Sequence, residues 1–164
     1  TSKTLIDGWI HTGDIGEIDE EGYLKITDRK KDIIVNAGGD NISPSRIEEK
    51  LNIEPEIAQS MMYGDFKNYI VGIIVPDKEF AKQWALDNNK NMDLATLYKD
   101  LDFIKMIKET TEKVNEKLSL IEKIRKFILI DEEFSIENDM MTPTLKVRRF
   151  KVKEKYKDRL ENLY

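Results

Sequence analysis

Along the 164-residue chain the spacing of apolar and polar positions changes several times. Gly16-Glu17-Ile18-Asp19 and Tyr23-Leu24-Lys25-Ile26 alternate on either side of Glu20-Glu21-Gly22, which predicts a β-hairpin from Ile15 to Asp28. The charged run Asp28-Arg29-Lys30-Lys31-Asp32 separates two apolar stretches and reads as an interdomain linker, or else as a charged strand edge facing solvent. Ile33-Ile34-Val35 predicts a short strand and Asn36 to Asn41 a tight loop. Ser43-Pro44 then has the chemistry of a helix N-cap and first turn.

Ile57 to Tyr63 and Tyr69 to Val75 read as paired strands about Gly64-Asp65, and Pro76-Asp77 ends the second and caps a helix through about Asp87. A short helix is expected near Leu94. Phe103, Ile107, Val114 and Leu118 recur on one helical face, predicting an amphipathic helix packed on the sheet with its two threonines at the surface. Phe127-Ile128-Leu129-Ile130 predicts a third strand, the stretch from Glu137 to Thr144 is irregular, and a charged helix starts near Arg149. Trp84 is expected in the core. Mixed strands and helices of this kind favour a small α+β fold over a doubly wound sheet.

Composition narrows the chemistry. With 40% hydrophobic and 36% charged residues, and no apolar run long enough to span a bilayer, the chain belongs to the soluble globular class. It has no cysteine, which excludes disulfides and thiolate metal sites and fits a reducing compartment; its single histidine, His11, rules out a multi-histidine metal site within the chain. A net charge of −5 argues against nucleic acid as a partner, although Lys146 to Arg159 holds eight basic and two acidic residues. The opening Thr-Ser-Lys-Thr resembles neither a signal nor a transit peptide, and a piece cut from a longer protein is expected.

Three motifs occur in a telling order: Gly8-Trp9-Ile10-His11-Thr12-Gly13-Asp14, then Thr27-Asp28-Arg29-Lys30-Lys31-Asp32 with its downstream Gly38-Gly39 loop, then Thr142-Pro143-Thr144-Leu145-Lys146. Singly each is weak, but in this order the chain resembles the C-terminal portion of an AMP-forming acyl-CoA synthetase of the adenylate-forming superfamily. The Gly-Gly-Asp-Asn-Ile-Ser-Pro loop and the Thr-Pro-Thr-Leu-Lys form of the lysine loop are similar to those of the long-chain fatty-acid branch; other families commonly have Gly-Lys there.

That resemblance implies an α+β fold, a small mixed sheet flanked by helices, preceded by a β-hairpin remnant of an N-terminal domain. Residues 1–29 would end the N-terminal adenylation domain, 30–32 would be a hinge with Lys31 at its pivot, and 33–164 would form a mobile lid. It implies a fatty acid:CoA ligase: acid and ATP give acyl-adenylate with loss of pyrophosphate, and after the lid rotates the CoA thiol displaces AMP. Asp14 would accept hydrogen bonds from the two ribose hydroxyls, a task suited to two carboxylate oxygens; a turn-capping aspartate is the plainer reading. Arg29 would approach ribose and phosphate with its planar donors, or be a solvated linker charge. Lys146 would bridge the acyl carboxylate and the α-phosphate, or be one more lysine of a basic tail. Gly38 and Gly39 would let backbone approach the pantetheine tunnel, and they make a strand-to-helix turn in any case. Asp40 replaces the arginine by which many short-chain relatives meet a phosphate. His11 reads as structural.

The phosphate loop, the acyl and adenine pockets and the acidic residue that places Mg²⁺ would lie outside this chain, so no metal site is expected in it. The chain alone would be inactive, and its partners would be the missing N-terminal domain, fatty acid, ATP and CoA. A cytoplasmic location is expected, with at most weak peripheral contact at the inner face of a membrane. The competing reading is a non-catalytic module whose basic C-terminal helix docks on anionic membrane or a partner, with Val152, Tyr156 and Leu160 as its modest apolar stripe.

Overall fold

The computed structural model describes residues 5–6 and 8–164, and the side chains of 8–26 and 28–164; the opening Thr-Ser-Lys-Thr lies outside the described residues. Strands Leu5–Ile6 (β1) and Trp9–Ile10 (β2) pair first. Asp14–Ile18 (β3) and Leu24–Arg29 (β4) then form the predicted antiparallel hairpin, with a bulge between Ile15 and Gly16. Its turn closes because the Asp19 carboxylate accepts the N–H groups of Glu21 (3.0 Å) and Tyr23 (2.8 Å), while Gly22 takes φ +87°, open to glycine without a Cβ clash.

Past a turn over 30–33, Ile34–Val35 (β5) pairs with Asn41–Ile42 (β6) across the glycine loop. Helix α1 (Pro44–Leu51) starts where expected: Ser43 is extended and its hydroxyl accepts the N–H of Arg46, with Pro44 in the first turn. Ile57–Tyr63 (β7) and Ile70–Pro76 (β8) are antiparallel, and Ile124–Leu129 (β9) joins β8 in parallel, giving a mixed sheet of order β7-β8-β9. The helices are α2 (Lys78–Asp87), α3 (Leu94–Leu97), α4 (Leu101–Asn115) and α5 (Arg149–Glu161).

All of β8 is buried, as its continuous Ile-Val-Gly-Ile-Ile-Val-Pro run requires of a strand covered on both faces. Ile70 and Ile74 face a core completed by Ile47 and Leu51 of α1 and by Phe103, Ile107 and Val114 of α4. Val71, Ile73 and Val75 face a second core closed by Val152, Tyr156 and Leu160 of α5. The apolar stripe of the basic helix is thus spent on the sheet and does not face outward. Trp84 is half-buried, edge-on to Phe103 with centroids 5.1 Å apart.

Two expectations are corrected. The threonines of α4 are not surface residues: Thr110 is 7% and Thr111 3% exposed. Each hydroxyl donates to the carbonyl four residues back, Met106 (3.3 Å) and Ile107 (2.9 Å), so burial leaves neither unsatisfied. The third strand begins three residues earlier than its apolar run, at Ile124. Buried Asn115 explains this, since its side chain accepts the N–H of Ile124 (2.8 Å) and donates to its carbonyl (2.9 Å), as a neighbouring strand would.

Asn115→Ala therefore strands two buried backbone groups and should destabilise the chain by about 3 kcal/mol. Urea denaturation of the two proteins measures it; a loss below about 1 kcal/mol would show that water replaces the amide.

Candidate functional site

The lysine loop is a compact turn between Met141 and Val147, which form an isolated antiparallel bridge. Thr142 organises it: its N–H donates to the Lys146 carbonyl (2.8 Å), its carbonyl accepts the N–H of Leu145 (2.9 Å), and its hydroxyl accepts the N–H of Lys146 (3.1 Å). Leu145 sits at φ +59° with its side chain 69% exposed. A left-handed leucine costs about 1 kcal/mol, which glycine would avoid. The strain lies immediately before Lys146, whose side chain is exposed.

Three residues on, Arg149 anchors the loop. Its guanidinium donates to both oxygens of Glu48 (2.6 and 2.5 Å), and Glu48 also accepts the N–H of Met62 (2.7 Å). Glu48 is 8% exposed. Burial pushes its carboxyl above the ordinary range, against the opposing pull of Arg149 and the Met62 N–H.

These elements enclose a cleft of about 500 Å³ lined by Arg29, Lys31, Lys146, Arg149, Phe150 and Lys153, among others. Arg149 is neutralised by Glu48, and Lys153 lies 3.9 Å from Asp65 and over the Tyr63 ring. Among the described residues Lys31 and Lys146 have no ion-pair partner, so the cleft carries an excess of positive charge suited to a phosphate-bearing ligand.

Of the sequence-predicted residues, Arg29, Lys31 and Lys146 share this cleft although more than a hundred residues separate the first from the last. Asp14 is not in the cleft lining but lies opposite Arg29 on the hairpin, with the guanidinium Nε 3.6 Å from its carboxylate. The Asp14 N–H donates to the Thr12 hydroxyl at 3.2 Å. Gly38 and Gly39 are not in the cleft lining. They form a separate exposed loop in which Gly39 has φ +86° and Asn36 and Asp40 bond each other three times, at 2.9, 2.9 and 3.1 Å. Asp40 is exposed, and its carboxylate accepts from the Asn36 side chain. His11, read as structural, is exposed, as is Trp9 at 77%.

The sequence reading missed Glu48 and the anchoring role of Arg149. Arg148-Arg149, directly after the lysine loop, could have prompted a search for an acidic partner, but nothing local marks Glu48 among the many glutamates.

The model of the AMP-binding enzyme C-terminal domain family matches residues 31–164, and the chain belongs to that family. It is 40% identical to the long-chain-fatty-acid–CoA ligase FadD15 of Mycobacterium tuberculosis over 169 aligned residues, covering 100% of this chain and 28% of that protein. It is 37% identical to human long-chain-fatty-acid–CoA ligase 6, covering 96% of this chain and 23% of that protein. Each relative is thus several times longer than this chain. Among solved structures, the adenylation domain of a carboxylate reductase from Mycobacterium chelonae superposes with TM-score 0.82 at 27% identity, over 100% of this chain and 24% of that one. An adenylation and carrier-protein didomain of a Segniliparus rugosus carboxylic acid reductase, in complex with AMP, gives TM-score 0.80 at 28% identity, over 100% and 22% of the two chains.

Removing one partner of a buried ion pair leaves the other charge uncompensated. Arg149→Met should cost about 3–5 kcal/mol at pH 8. Without the guanidinium the Glu48 carboxyl rises further above its unfolded-state value, so the folded variant holds a proton that the unfolded chain releases. Stability is then retained at acid pH and lost as pH rises through the folded value, and the deficit should shrink when denaturation is repeated at pH 5. An equal deficit at both pH values would show that Glu48 stays charged.

Proposed function

We propose that the protein to which this chain belongs is an ATP-dependent long-chain fatty acid:CoA ligase, and that residues 33–164 are its mobile lid, joined through a hinge at 30–32 to an N-terminal adenylation domain that ends with 1–29. The observation that carries this reading is the shared cleft: Arg29, Lys31 and Lys146 line one cationic space, with Asp14 paired to Arg29 at its edge. The family membership and the ligase relatives support it. So does the hairpin, which exposes Ile18 (73%), Leu24 (68%) and Ile26 (56%), an apolar surface that an upstream domain would cover.

In this mechanism the Asp14 carboxylate accepts both ribose hydroxyls of ATP and Arg29 donates to ribose and phosphate. Lys146 reaches the acyl carboxylate and the α-phosphate together. A carboxylate oxygen attacks the α-phosphorus, the bond to pyrophosphate breaks, and the lysine ammonium offsets charge gathering on the phosphoryl oxygens. The lid then turns at Lys31 and brings the Gly38-Gly39 loop to the pantetheine arm. The thiol sulfur attacks the acyl carbon, the bond to AMP breaks, and acyl-CoA and AMP are released. Mg²⁺ would belong to the ATP complex, and its protein ligands would come from outside this chain; among the described residues no group of three or more acidic or histidine side chains could hold a metal ion. Among those residues no helix is long and apolar enough to cross a membrane.

The chain by itself should not turn over, because it carries only one wall of the site and the reaction depends on positioning both reactants. Pyrophosphate release with ATP, Mg²⁺ and oleate measures this, and appreciable turnover by the chain alone would refute its role as a lid. In the full-length protein Lys146→Ala should slow acyl-adenylate formation by about 10²-fold while changing thioester formation from supplied acyl-adenylate far less. Equal losses in both half-reactions would give Lys146 a structural role.

A further inference from the structure

The hairpin that carries Asp14 and Arg29 is joined to the rest of the chain through the charged segment 30–32, yet a second connection bypasses that segment. Asp28, on β4, reaches the N-terminus of α1. Its carboxylate accepts the Ser43 hydroxyl at 2.6 Å, the Ser45 hydroxyl at 3.2 Å and the Ser45 N–H at 3.3 Å, and on its own strand the Arg29 N–H at 2.7 Å. Among the described residues, all side-chain hydrogen bonds between 8–29 and 33–164 end on this one carboxylate. A carboxylate suits the place: two oxygens serve several donors, and a negative charge at a helix N-terminus is favoured by the unpaired N–H groups there.

Helix α1 also holds the other wall of the cleft. Its Glu48 grips Arg149, three residues beyond Lys146. Asp28 and Glu48 therefore make α1 a rod between the nucleotide-side pair Asp14 and Arg29 and the lysine loop.

We infer that Asp28 is a positioning residue, a latch that holds the hairpin to α1 in the arrangement where Lys146 and Arg29 share one cleft, and that must release before the segment 30–32 can turn. This rests on the hinge of the proposed function. The latch acts through geometry: Ser43 and Ser45 lie beyond 30–32 in the chain and Asp28 before it, so rotation at Lys31 carries donors and acceptor apart. Bonds to a charged acceptor are strong enough to bias such an equilibrium by about tenfold.

A distance measurement tests the latch without reference to activity. The chain has no cysteine, so Glu20→Cys at the hairpin tip and Glu49→Cys on the exposed side of α1 accept spin labels selectively. The parent should give one narrow distance distribution; Asp28→Ala should broaden or shift it, and Ser45→Ala, which spares the helix cap at Ser43, should do so in part. Unchanged distributions in both variants would overturn the latch. In the full-length protein, Asp28→Ala should lower acyl-adenylate formation about tenfold while changing thioester formation from supplied acyl-adenylate less than about twofold, with Asp28→Asn between parent and alanine. Equal losses in the two half-reactions would reduce Asp28 to a general structural residue. A full-length parent that makes no acyl-adenylate would refute the proposed function, and the spin-label distances would still decide the latch.

Discussion

The bidentate bond between Glu48 and Arg149 sets where everything else in the cleft can sit. It joins α1 to the first turn of α5 across the end of the sheet and also holds the Met62 N–H of β7, so three elements meet on one carboxylate. A buried pair of this kind adds little net stability, because both charges must leave water. Its value is in geometry: the lysine loop ends three residues before Arg149 and has few other ties to the sheet. The loop's own bonds through Thr142 keep it compact, but the guanidinium decides which way it points.

The two-faced sheet makes such an anchor necessary. One core lies between the β7-β8-β9 sheet and the helices α1 and α4, the other between the opposite face of that sheet and α5, and the sheet separates them. Packing of apolar groups is non-directional, so neither core alone defines how α5 enters or how α1 lies over the sheet edge. Directional polar bonds supply that. Asn115 fixes the start of β9, Glu48 the start of α5, and Asp28 the start of α1.

Charge and strain are concentrated at the cleft. Paired cations such as Arg149 serve structure, whereas Lys31 and Lys146 are held near the space without an ion-pair partner among the described residues. Leu145 keeps a left-handed backbone beside Lys146, a conformation the fold must hold against its own cost. In the proposed function, a site that binds polyanions and then reopens would benefit from cations not already committed to carboxylates.

Most of the fold was legible in the chain because it follows from local rules. Alternation marked the hairpin, the Ser43-Pro44 pair marked the start of α1, Asp77 capped α2, and the helical spacing of Phe103, Ile107 and Val114 named the buried face of α4. The family resemblance that the three motifs carry also named Asp14, Arg29, Lys31 and Lys146 as candidates. What the sequence could not determine is which distant groups satisfy one another. Thr110 and Thr111 are buried because their hydroxyls bond backward along the helix, and β9 begins at Ile124 because a buried asparagine stands in for a strand. That Arg29 and Lys146 share one cleft, and that Glu48 rather than another glutamate meets Arg149, was decided only by tertiary structure. Periodicity reports how each segment divides between core and solvent, whereas a hydrogen bond across a hundred residues depends on where the packed elements finally place two side chains.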